Sequence, residues 1–160
     1  MPSVLTNFLT ETIERELPNL RAITEEQSTV GRGKGKWSPK EEFGHLIDSA
    51  ANNHMRFVRA TLDGEFRGPS YLADDWVRLH GYCEIPWESI VALWFGFNKL
   101  LTTLVDRIPE HRLQSPCYIG SSESLKLGYV IEDYILHMQH HLDLLFERPM
   151  ITQYGIKPSS

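Results

Sequence analysis

His137 and His141 stand four residues apart, and His45 lies far earlier in a second stretch of helical periodicity. A His-x-x-x-His pair puts two imidazoles on one helical face, about one turn apart, where both reach a single divalent metal. A third histidine from a neighbouring helix completes a set of three nitrogen donors. Such a set leaves coordination positions open for water or substrate, the arrangement of a catalytic metal rather than a closed structural one. The chain holds seven histidines, so a pair at this spacing arises readily by chance. Burial argues the other way: each buried imidazole needs partners for two nitrogens, and a shared metal satisfies one on every ring at once.

The elements that must carry these residues read as helices. Leu5, Phe8, Leu9, Ile13 and Leu17 recur at helical spacing, and Pro18 is expected to close a first helix over residues 3–17. Residues up to Gly35 read as a loop, in which Arg32, Lys34 and Lys36 form a flexible connector; it lacks the pattern of a phosphate-binding loop. Ser38-Pro39-Lys40-Glu41 is a capping box with proline at the first helical position. A long second helix follows through Phe43, Leu46, Ile47, Ala50 and Phe57 to Asp63-Gly64. Residues 64–85 form a crossover with a short amphipathic piece at Asp74–Leu79. A third helix opens at Pro86 and runs to Ile108 before Pro109, and a fourth spans Ser124 to Arg148.

Four amphipathic helices with little strand signal predict an all-α four-helix bundle, residues 1–150, followed by a tail at 151–160. The connection between helices two and three is long enough to cross the bundle, which allows those helices to run parallel. At 160 residues the chain buries a core without needing a metal or disulfides. Its net charge of -5 argues against a nucleic-acid partner, and no apolar run is long enough to span a bilayer. No basic stretch followed by an apolar core marks the N-terminus, so a cytoplasmic location is expected, with Cys83 and Cys117 reduced. Neither cysteine has a local activating partner. Asp48, one turn after His45, is a candidate to orient a ligand, and Tyr134, on the histidine face of the last helix, to move a proton. Arg56 and Arg59 are candidates to hold an anion, though helix arginines are commonly solvated or ion-paired. His54, His80 and His111 read as surface residues.

These residues together resemble the DinB-like superfamily of bacterial four-helix proteins. The likeness is carried by Trp37-Ser38-Pro39-Lys40-Glu41, Gly44-His45-Leu46-Ile47-Asp48-Ser49, Arg56-Phe57, Asp75-Trp76 and Tyr134 with His137-Met138-Gln139-His140-His141. The resemblance implies up-down-down-up connectivity, a divalent metal on His45, His137 and His141 with His140 unused, and homodimers. It also implies an enzyme like the bacillithiol- and mycothiol-dependent members of that superfamily. On this basis the expected activity is transfer of a low-molecular-weight thiol to an electrophilic small molecule. A metal-dependent hydrolase and a non-catalytic, metal-stabilised ligand-binding bundle are the alternatives. Zinc or nickel is the expected metal, with iron and manganese also compatible with the donor set.

Overall fold

The computed structural model describes residues 3–151 and 154. Four long helices make the bundle: α1 (Val4–Ala22), α3 (Pro39–Asp63), α5 (Trp87–Asp106) and α6 (Leu127–Leu145). Short helices α2 (Glu25–Thr29) and α4 (Ala73–His80) lie in the connections. Ser3 caps α1, its Oγ accepting from Thr6 N at 3.1 Å. The Ser38–Glu41 capping box starts α3 with both reciprocal bonds made, and Gly64 ends it in the left-handed conformation at φ 84°. Among the described residues no helix is long and apolar enough to cross a membrane.

Side-chain contacts fix the helix directions. Trp87, at the start of α5, donates its indole N–H to Leu20 O at the end of α1 over 2.9 Å, so α1 and α5 are antiparallel. Phe43, near the start of α3, packs on Trp87 and Trp94 in the first half of α5, so α3 and α5 run parallel. Glu16, late in α1, meets Arg148 just past the end of α6, while His45, early in α3, meets the second half of α6. The result is up-down-down-up. The parallel α3–α5 pair is why the chain between them must travel the length of the bundle.

That crossover carries β1 (Phe66–Gly68), α4 and a 3-10 turn at Tyr82–Glu84. The α5–α6 connection carries β2 (Pro116–Ile119) and β3 (Leu125–Lys126). β1 pairs parallel to β2, with Phe66 opposite Cys117, and β2 pairs antiparallel to β3, with Cys117 opposite Leu125. The core is centred on Trp94, Phe43, Phe57, Leu101 and Ile131, all fully buried.

Four sequence expectations change. Pro18 lies inside α1 instead of ending it. A mid-helix proline costs about 3 kcal/mol, and the burial of Leu20 together with its bond from Trp87 offsets this by holding the last turn in place. The expected loop contains α2, whose Glu25 ties three elements together by pairing with the buried Lys40 and accepting from Trp87 N at 2.7 Å. Arg32 is pinned, donating to Leu145 O at the end of α6 over 2.7 Å, where the helix dipole favours a cation. At the boundaries, α5 stops at Asp106, just short of Pro109, and α6 begins at Leu127, because residues 125–126 are used as strand.

The end of α6 is clamped to α1 by charge. Arg148 reaches Glu16 Oε1 at 2.5 Å and Asp143 Oδ1 at 2.7 Å, and both carboxylates are fully buried. Removing the cation leaves buried Asp143 without a cationic partner among the described residues and Glu16 with only Arg15, 3.4 Å away. Arg148→Ala is therefore expected to destabilise the fold by about 3–5 kcal/mol, read from urea unfolding, whereas Arg59→Ala, which removes an exposed pair with Asp63, should change stability by less than about 0.5 kcal/mol.

Candidate metal centre

On α3, His45, Ser49 and Asn53 follow one another at intervals of four and form a polar strip facing α6. On α6, His137 and His141 share a face at the same interval. Because the two helices are antiparallel, the early strip of α3 meets the late turns of α6, and the three imidazoles converge. Their donor nitrogens all lie within 4.8 Å of one another. Nε2 of His45 and Nε2 of His137 are 3.0 Å apart. The ring centroids are 4.9 Å apart for His45–His137, 4.5 Å for His45–His141 and 4.4 Å for His137–His141.

The surroundings suit a cation acceptor. Burial first, and then the neighbouring imidazoles, pushes His137 down to about 2, and burial followed by His141 pushes His45 down to about 4. At neutral pH both rings are uncharged and keep a lone pair, the form that ligates metal. Glu42 Oε1 lies 2.5 Å from Nδ1 of His141, which places the proton there and leaves Nε2 as the donor. Glu42 is held in turn by Arg32, 3.7 Å from its second oxygen. Ser49 Oγ lies 3.5 Å from Nδ1 of His137. His45 Nδ1 is buried with no partner among the described residues. Zinc–nitrogen bonds of about 2.0–2.1 Å put neighbouring tetrahedral ligands roughly 3.3 Å apart. Three converging imidazoles, two of them held neutral by burial, with a 3.0 Å nitrogen–nitrogen approach and one ring backed by a carboxylate, fit that requirement.

Two open spaces border the cluster. Outside it, a cleft of about 540 Å³ is walled by Trp37, Arg32 and His141, with the Trp37 ring 5.0 Å from that of His45. On the inner side a cavity of about 180 Å³ runs from His137 along the α3–α6 groove, past Ser49, Arg56, Tyr71 and Asp133. Tyr154, from the segment expected to be a tail, closes over His137 with ring centroids 5.2 Å apart; the remaining tail positions 152, 153 and 155–160 lie outside the described residues. A larger space of about 600 Å³ between α1 and α5 is lined by none of the three histidines.

Asp48 and Tyr134 each make their hydrogen bond to a partner outside the histidine cluster. Asp48 is three residues after His45, which turns it toward α4. There Oδ1 accepts from Tyr82 Oη at 2.6 Å and faces His80 Nδ1 at 2.9 Å. Its partners belong to the crossover, not the histidine cluster. His80 is exposed, as a surface residue should be, and its ring also faces the buried Asp48 carboxylate. Gly44 makes this possible, since a Cβ there would lie 2.1 Å from the Tyr82 ring. The Tyr134 hydroxyl donates to Asn98 Oδ1 at 2.5 Å across the core, and burial raises its pKa far above the usual phenol range. The same side chain also lines the 180 Å³ cavity that His137 borders. Glu42, Ser49 and Trp37 are the site residues that spacing alone passed over. Glu42 and Ser49 stand three before and four after His45, the helical offsets that share its face.

Comparison with known proteins now decides the family. The sequence profile of the DinB superfamily matches residues 9–145. This chain belongs to the DinB superfamily. A protein of Oceanobacillus iheyensis, provisionally named a metal-dependent hydrolase, is 24% identical over 120 residues, covering 75% of this chain and 69% of the relative. The solved structure of YfiT from Bacillus subtilis, described as a probable metal-dependent hydrolase with an unusual four-helix bundle topology, shares the fold. It matches with a TM-score of 0.76 at 20% identity, over 89% of this chain and 82% of YfiT. The DinB-superfamily chain is thus mostly helical, with the small sheet as a local addition.

Purified protein is expected to carry about one equivalent of transition metal per chain, lost in the His137→Ala, His141→Ala double variant, as measured by elemental analysis. Glu42→Gln keeps the three donors but removes the charge behind His141, and should weaken metal affinity by about 10–100-fold in chelator competition.

Proposed function

We propose that this chain is a metal-dependent hydrolase of small molecules, with His45, His137 and His141 holding the ion. The observation that carries this reading is the cluster itself: three converging imidazole donors beside a cavity, with no fourth protein donor in the set among the described residues. A divalent ion on such a set supplies Lewis acidity, retains its full charge and lowers the pKa of a coordinated water or thiol. Zinc or nickel suits the donors best. The provisional names of both relatives agree with hydrolysis.

The chain's own residues do the rest. Glu42 sets the tautomer and orientation of His141, and the low proton affinity of His137 and His45 keeps their donor nitrogens free at neutral pH. Trp37 on one side and Tyr154 on the other limit access of bulk water. The 180 Å³ cavity beside His137 has room for a small molecule.

Transfer of a low-molecular-weight thiol is the second reading. Glu42 is committed to His141 and Arg32, and Asp48 to Tyr82 and His80, which leaves Asp133 as the carboxylate lining the cavity beside His137 among the described residues. A thiol needs no general base once its pKa has fallen.

Zinc- and nickel-reconstituted protein should be assayed against a nitrophenyl ester and anilide panel without thiol, and against a chlorobimane electrophile with a panel of small thiols. Turnover of the first panel, lost in His137→Ala, is the expected result; turnover confined to the second exchanges water for thiol as the nucleophile. Inactivity in both, with no thiol-induced change in the spectrum of cobalt-substituted protein, overturns the enzymatic reading.

A further inference from the structure

Arg56 is a buried cation, 9% exposed, in a place where a guanidinium is costly. Its one side-chain hydrogen bond among the described residues is long, from Nη1 to Asn53 Oδ1 at 3.4 Å. Its Cζ lies 5.9 Å from the Tyr71 ring centroid. A guanidinium carries five N–H donors in a rigid fork, so most of this one's capacity is unspent. Arg56 lines the same 180 Å³ cavity as His137.

The placement is directional. Ser49, Asn53 and Arg56 follow at intervals of four and three, forming one wall of the cavity. Seven residues of helix put the Arg56 backbone about 10 Å beyond Ser49, and helical side chains lean back toward the N-terminus, here toward His137. On another wall Asp133 is half-buried, and burial raises its pKa. One guanidinium supplies one positive charge, which balances a monoanion. A carboxylate also matches the planar fork in two parallel hydrogen bonds.

We propose that the cavity beside His137 binds a small substrate through its carboxylate, received by Arg56, with the reacting end of the substrate toward the three histidines. The Arg56 subsite stands on its own geometry; the orientation of the substrate rests on the metal-dependent reading above.

The test uses butyrate and its uncharged isostere butyramide, titrated by ligand-observed NMR into metal-free full-length protein and then into zinc-loaded protein. Metal-free wild type should bind butyrate at least about tenfold more tightly than butyramide. Arg56→Gln should lower butyrate affinity at least about tenfold and leave butyramide unchanged, with Arg56→Lys intermediate. The wild-type comparison needs no variant, so it holds even where a substitution at this buried position impairs folding. Equal affinity for the two probes in metal-free protein overturns the proposal, as does butyrate binding that appears only after zinc is added. Selective butyrate binding in a chain that takes up no metal sustains the Arg56 subsite and sinks only the metal-dependent reading. Metal uptake without selectivity does the reverse.

Discussion

The seam between α3 and α6 is the constraint on which the structure turns, because it packs three imidazoles edge to face in a largely enclosed cluster. Three rings within van der Waals reach, two of them held well below their usual proton affinity, cannot share protons in a way that satisfies every nitrogen. An ordinary core would replace them with leucine and gain stability. Their retention in a packed seam, with Glu42 and Ser49 placed behind two of the three rings, is the arrangement expected where a cation is the missing partner.

Everything around the seam keeps its register. A slip of one residue in α6 would rotate the histidines by about 100° and lose the cluster, so the ends of α6 are restrained. Arg148 ties the last turn to Glu16 of α1, and Arg32 caps Leu145 while bracing Glu42. Arg32 thus links the helix terminus to the ligand-orienting carboxylate, so the connector before α3 is part of the site's support. At the other end of α6, Leu127 N donates to Ser115 O at 2.9 Å, joining its first turn to the small sheet.

The unusual helix order shapes the cavity. Since α3 and α5 run parallel, the crossover between them passes the bundle and contributes side chains that a tight hairpin would lack. Tyr71 comes to lie beside Arg56, and Tyr82 against Gly44. One stretch of chain therefore walls the cavity and also takes Asp48 out of the histidine site by engaging it with Tyr82 and His80.

The long helices and their caps were legible in the amino-acid order alone, because periodicity and capping are local: the Ser38–Glu41 box and the Gly64 terminus follow from neighbours within a few residues. The same locality singled out His137 with His141. Strands of two to four residues carry no usable period, and β1 finds β2 some fifty residues away, so the sheet was invisible beforehand. Pro18 was misread for a related reason, since what carries α1 past it is a bond from Trp87, distant in sequence. Residue type and spacing determined which side chains could ligate a metal and on which helices they ride. Only the tertiary structure decided which of the chemically plausible neighbours reach that site, since a helix face is set by 100° per residue but its partner is set by packing. Packing brought Glu42 to His141 and Arg56 to the cavity beside His137, and turned Asp48 and Tyr134 toward other partners.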